Sequence, residues 1–195
     1  IRFYDHSGID LKGLVRASYG VVKNIATLGS SGLEGGGSTI TQQLAKNLFK
    51  IRREKKGKLS GVPFLGLVIS KVKEWIVAVK LEEFYTKKEI FEFYVNRIFF
   101  GNRAYGIAAA SEVYYGKSLS ELNLAQWAMI AALPKAPSSI NPLVNPKRAL
   151  QRRDWILERM LKLDFIHPEQ FDLAIKAPLT AKYYGLVSEV EAPYE

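Results

Sequence analysis

The sequence predicts a mainly α-helical protein, and three observations carry that prediction. Every long patterned segment repeats its apolar residues at helical spacing. No two runs alternate as paired strands do. The helical runs open with capping residues such as Thr39, Thr86 and Asn145-Pro146. The chain has 195 residues, enough for one sizeable core and a small second lobe. Its net charge of +9 asks for an anionic partner: nucleic acid, anionic lipid or a phosphorylated substrate. The absence of cysteine excludes disulfides, thiolate metal sites and thiol nucleophiles, and two histidines, His6 and His167, are too few for a multi-histidine metal centre. No apolar run reaches the roughly 18 residues of a membrane-spanning helix. No signal peptide is visible and Ile1 falls inside what reads as a motif, so a fragment is expected, with an upstream anchor left open.

Taken in order, Asp10 is an N-cap for a helix with Leu11, Leu14, Val15, Val21, Val22 and Ile25 on one side, stopped at Gly29. His6 fixes the turn before it. Residues 29–37 form a connector of Gly, Ser, Leu and Glu. From Gly35 the chain reads Gly-Gly-Gly-Ser-Thr-Ile-Thr-Gln-Gln-Leu-Ala-Lys-Asn, a glycine bend feeding a helix. Thr39 and Gln42 have capping-box spacing, and Ile40, Leu44 and Leu48 make an apolar stripe. Thr39, Gln42, Gln43 and Lys46 share a polar face. Free amides at the helix start, with Lys46 beyond them, suit a phosphate-bearing or polyhydroxyl ligand. An ordinary amphipathic helix after a linker fits the same spacing.

Beyond that helix, residues 50–58 carry six basic side chains and one acid, followed by an apolar run at 61–69. This pairing suits an interfacial membrane segment, or a solvated loop leading into a buried helix. Lys71 and Glu74 are neighbours on the next helix, a spacing that usually gives only a weak surface ion pair. Thr86 and Glu89 box the start of a helix with Phe91, Tyr94, Val95 and Ile98. A small-residue helix at 108–115 ends at Gly116. The run 122–133 is a nearly all-apolar core helix. Pro146 starts a long helix whose Arg148, Arg152, Arg153 and Arg159 read as mostly a solvated face, and His167-Pro168 opens a short one, with His167 as a turn or cap residue.

The stretch from Gly36 to Asn47 resembles the second signature of the peptidoglycan glycosyltransferase (transglycosylase) domain, found in class A penicillin-binding proteins and monofunctional cell-wall glycosyltransferases. Phe3, His6 and Gly8 resemble the tail of that family's first motif, whose Glu and Asp would immediately precede Ile1. The resemblance makes that Glu the general base, so no residue of this chain takes its role. Lys71 and Glu74 match the third motif, with Ser70 replacing an arginine. Asn96, Gly101 and Gly106, then Tyr114, Gly116 and Lys117, match the fourth. Pro134 to Pro142 matches a fifth, read as structural, with Gln126 and Ile140 where Glu and Tyr are usual.

The resemblance covers nearly the whole chain and implies one glycosyltransferase domain over 1–195. Its larger lobe would be lysozyme-like, with a membrane-facing jaw at about 50–75 and a linker at about 178–195 toward a transpeptidase domain. It implies Glu74 and Lys46 as catalytic residues. His6, Ser38, Thr39, Gln42, Gln43, Asn47, Lys71, Asn96, Tyr105 and one of Arg52 or Arg53 would bind substrate. The implied reaction polymerises lipid II onto a growing glycan chain, with inversion and release of undecaprenyl diphosphate, at the outer face of the bacterial cytoplasmic membrane. A Mg or Mn ion at the diphosphate is an open expectation, and no nucleic acid is expected. Two alternatives stand beside it: a glycan-cleaving lysozyme-like or lytic enzyme, and a non-catalytic basic module that binds membrane or nucleic acid.

Overall fold

The computed structural model describes residues 3–16, 19, 37–49 and 63–185, with only the helical path given for 63–68. Its chain forms two compact units, Ile1–Val95 and Asn96–Glu195. The described residues are mainly helical and contain no strand beyond one isolated bridge, Phe99 to Tyr105. The basic cluster at 50–58, the connector at 29–36 and both jaw arginines lie outside the described residues.

The first unit opens with a 3-10 turn, Phe3–Asp5, and then α1, described over 11–16. Asp10 caps α1 as its sequence suggests, accepting from the Gly13 amide at 3.0 Å. Leu11 and Val15 stay 73% and 71% exposed, so the described part of the apolar side of α1 is not core. Next come α2 (Ile40–Leu48), α3 (Pro63–Phe84) and the start of α4 (Lys87–Arg97). The apolar run at 61–69 therefore leads into the same 22-residue helix that carries Lys71 and Glu74. No described helix is long and apolar enough to cross a membrane.

The core of this unit is Phe3, Leu44, Ala45, Leu81 and Ile90, with Ile40, Val77 and Tyr94 packed around it. The predicted stripe on α2 holds at Ile40 and Leu44, but Leu48 is partly exposed. The α4 box forms, since Thr86 donates its amide and hydroxyl to Glu89, which holds that carboxyl below the usual carboxylate range. On α4 the fully buried residue is Ile90, whereas Phe91 is nearly half exposed.

In the second unit a tight loop precedes α5 (Ile107–Tyr115). Gly101 has φ +91°, and a Cβ there would sit 2.7 Å from the Tyr114 hydroxyl, so the motif glycine is required by space and backbone together. Burial pushes the Tyr114 phenol up to about 12. Then follow α6 (Leu124–Ala132), α7 (Pro146–Lys162) and α8 (Pro168–Lys176), packed through Ala125, Ala128, Leu157, Ile166 and Ala174.

One reading is corrected here. Arg153 is not part of a solvated face. It is buried and donates to the carbonyls of Ala177 at 2.8 Å and Ile175 at 3.1 Å, and to Asp154 at 2.7 Å. The last turn of α8 leaves carbonyls without helical partners, and a guanidinium has enough donors to satisfy two of them. The stretch 178–185, read as linker, is fastened as far as it is described. Its Lys182 and Tyr184 amides donate to the carbonyls of Tyr114 and Val113 on α5, and Thr180 accepts from Gln126.

Candidate active site

The N-terminus of α2 is held by one carbonyl. Thr39 is the N-cap, and its hydroxyl oxygen accepts from the Gln42 amide at 3.1 Å. The same hydroxyl donates to the Gly8 carbonyl at 2.7 Å, and Gln42 Nε2 donates to that carbonyl at 3.1 Å. A carbonyl has two lone pairs, so both are used. Gly8 has φ +86°, and a Cβ on it would meet the Ala78 carbonyl at 2.9 Å. The His6–Gly8 turn thus lies flat against α3, in a conformation that favours glycine.

This geometry changes the reading of α2 in one respect. The capping box is half made: Thr39 caps, but the Gln42 side chain reaches Gly8 instead of returning to the Thr39 amide. Gln42 is 1% exposed, so the face drawn from sequence splits in two. Thr39 and Gln42 point inward, while Gln43, Lys46 and Asn47 are exposed. Gln43 Oε1 accepts from the Tyr94 hydroxyl at 3.2 Å. The Lys46 side chain makes no hydrogen bond or ion pair with another described residue.

Residue Lys71 ties α2 to α3. Its Nζ donates to Glu74 Oε2 at 2.5 Å and to Ser38 Oγ at 2.8 Å. The Glu74 side chain is 8% exposed and that of Lys71 46%, so this is not a solvated surface pair. A carboxylate taken out of water is held by a cation that still reaches solvent, and that cation is anchored on the residue before the helix cap. With Ser38, the first α2 amides, Lys46 and Lys71 in one unit and no acid in the first turn of α2, the local field favours an anion.

His6 is partly exposed, its carbonyl accepts from Lys87, and its buried Nδ1 has no partner among the described residues. Asn96 and Tyr105 are exposed and belong to the second unit, where the Tyr105 ring packs on Phe99 at 5.0 Å. Arg52 and Arg53 lie outside the described residues. A cavity of about 50 Å³ in the second unit, lined by Tyr115, Gln126 and Arg153, includes none of the candidates. Sequence reasoning missed Thr41, Glu82 and Lys87, whose side chains bond to one another beside the same turn.

A family model described as Transglycosylase matches residues 1–161. The chain belongs to the transglycosylase family. Penicillin-binding protein 1A of Pseudomonas aeruginosa is 46% identical over 192 residues, covering 98% of this chain and 21% of that protein. The Escherichia coli protein of the same name is 40% identical over 193 residues, covering 99% and 21%. A crystal structure of penicillin-binding protein 1A from Haemophilus influenzae matches at 52% identity and a TM-score of 0.49, covering 50% of this chain and 14% of that one. The chain thus spans about a fifth of the curated relatives named here. It is a transglycosylase domain, an enzyme of the peptidoglycan glycosyltransferase class, similar to part of those penicillin-binding proteins.

Proposed function

We propose that this transglycosylase domain polymerises lipid II, transferring the growing lipid-linked glycan to the 4-hydroxyl of the incoming sugar. The hydroxyl oxygen forms a bond to the anomeric carbon while the bond from that carbon to the diphosphate breaks, with inversion. A carboxylate takes the proton as the bond forms. The leaving undecaprenyl diphosphate gains negative charge. The first α2 amides, Lys46, Lys71 and one of Arg52 or Arg53 stabilise it as it develops. Glu74 holds Lys71 in place for that task. A Mg or Mn ion at the diphosphate, if the reaction uses one, would draw a carboxylate from Glu74 and would neutralise charge on the leaving group.

The observation that supports this reading best is the Lys71 bridge, which joins the Gly-Ser-Thr start of α2 to the buried acid of α3. A phosphate clamp beside a buried carboxylate suits transfer from a diphosphate better than simple glycan cleavage. The basic run at 50–58, which follows α2 in sequence, suits work at an anionic membrane surface, and the rest of a longer polypeptide, including a transpeptidase, would follow the segment fastened on α5. The test uses the full-length parent protein and labelled lipid II. Polymer that falls at least a hundredfold in Glu74→Gln, with the melting temperature kept, supports the reading. Cleaved glycan points to a lytic enzyme, and no product of either kind to a binding module.

A further inference from the structure

We propose that Lys87 is a positioning residue for glycosyl transfer: with Glu82 it fixes the His6–Gly8 turn against the N-terminus of α2. The inference rests on the function proposed above and deepens it. Lys87 Nζ donates to the His6 carbonyl at 2.5 Å and to Glu82 at 2.7 Å, and stands 4.7 Å over the Phe3 ring. Glu82 in turn accepts from the Thr41 hydroxyl at 2.6 Å. Gly8, two residues past His6, accepts from Thr39 and Gln42. The bonds close a ring: Lys87, His6–Gly8, Thr39 and Gln42, Thr41, Glu82 and back to Lys87.

The ring lies within the first unit. The Glu82 side chain is 7% exposed and that of Lys87 20%, while Thr41 and Gln42 are buried. A lysine is a poor choice for where it sits. Lys87 is the first residue of α4, and the helix dipole disfavours a cation there. The stability of α4 itself therefore does not explain it. An ammonium has three donors and serves a carbonyl and a carboxylate at once, through charge-assisted bonds, while its charge rests over an aromatic face. The ring also shares Thr39 with the candidate site, and Ser38 next to it bonds Lys71. Moving the turn moves the first α2 amides relative to Lys71 and Glu74, and a misplacement of about 1 Å costs on the order of a hundredfold in rate.

The test compares Lys87→Met and Lys87→Arg in the full-length protein, assayed on lipid II well below each melting temperature and corrected for the folded fraction. Lys87→Met is expected to lose at least about tenfold in kcat with KM within about threefold. Lys87→Arg, which still donates to both partners, recovers to within about threefold. Amide exchange at Gln42 and Gln43 speeds up in Lys87→Met and not in Lys87→Arg. Unchanged kcat in folded Lys87→Met, or an arginine no better than methionine, overturns the proposal. If Lys87→Met does not fold, Glu82→Gln replaces it: a smaller loss with faster exchange supports the ring, and no change in either overturns it. If the wild-type protein makes no polymer, the reaction reading fails by itself. Exchange then decides the ring alone, unchanged exchange at Gln42 and Gln43 overturning it.

Discussion

Thr39→Val probes the join between helix cap and turn with little change of shape. Valine keeps the branched outline and removes one hydroxyl. That hydroxyl accepts from the Gln42 amide at 3.1 Å and donates to the Gly8 carbonyl at 2.7 Å, and the residue is buried. Losing the cap costs about 1 kcal/mol. Losing the bond to Gly8 costs about 1 kcal/mol more, limited because Gln42 still satisfies that carbonyl. The sum of about 2 kcal/mol corresponds to a fall of roughly 4–8 °C in melting temperature for a domain of this size. Thr39→Ser keeps both bonds and is expected within about 0.5 kcal/mol of wild type, the usual range for a change that breaks no named contact. Urea unfolding of wild type, Val and Ser measures all three. A valine variant as stable as the serine variant would show that the hydroxyl holds neither partner, and the account of the α2 start would be wrong.

Arg153→Met is expected to destabilise by about 2–4 kcal/mol, because it removes a buried charged group that donates to two partly buried carbonyls; an effect below about 0.5 kcal/mol in thermal unfolding would return Arg153 to the surface. Alkaline stability follows from Tyr114, whose folded phenol is pushed up to about 12 from an ordinary 10.0. The sign is set by the raised value: the contribution is complete below about pH 10 and is lost as pH rises toward 12, because the unfolded chain ionises first. Denaturant midpoints should fall over that window, less steeply in Tyr114→Phe, and a flat profile to pH 12 would contradict the burial argument.

What the sequence made legible was local. The caps at Thr39, Thr86 and His167, the αL glycine at Gly116 and the Lys71–Glu74 spacing depend on residues a turn apart, and each stands where it was read. The hub at Gly8 was not legible, because its partners Thr39 and Gln42 are 31 and 34 positions away. Gln42 was misplaced for the same reason: helical spacing puts it on a polar face without saying that a distant carbonyl faces it. Arg153 was missed because long cations usually keep their heads in water, and only the fold brings the open carbonyls of α8 to it. Ser38 was legible as part of a motif, but its bond to Lys71 joins two segments that no periodicity connects.

The measurement that bears most directly on the whole account is a crystal structure of the full-length protein with a moenomycin-type phosphoglycolipid. The account predicts a phosphoryl oxygen within hydrogen-bond reach, about 3 Å, of Ser38, Lys71 or Lys46 at the start of α2. A phosphoryl group seated only on the second unit, with those three residues untouched, would contradict it.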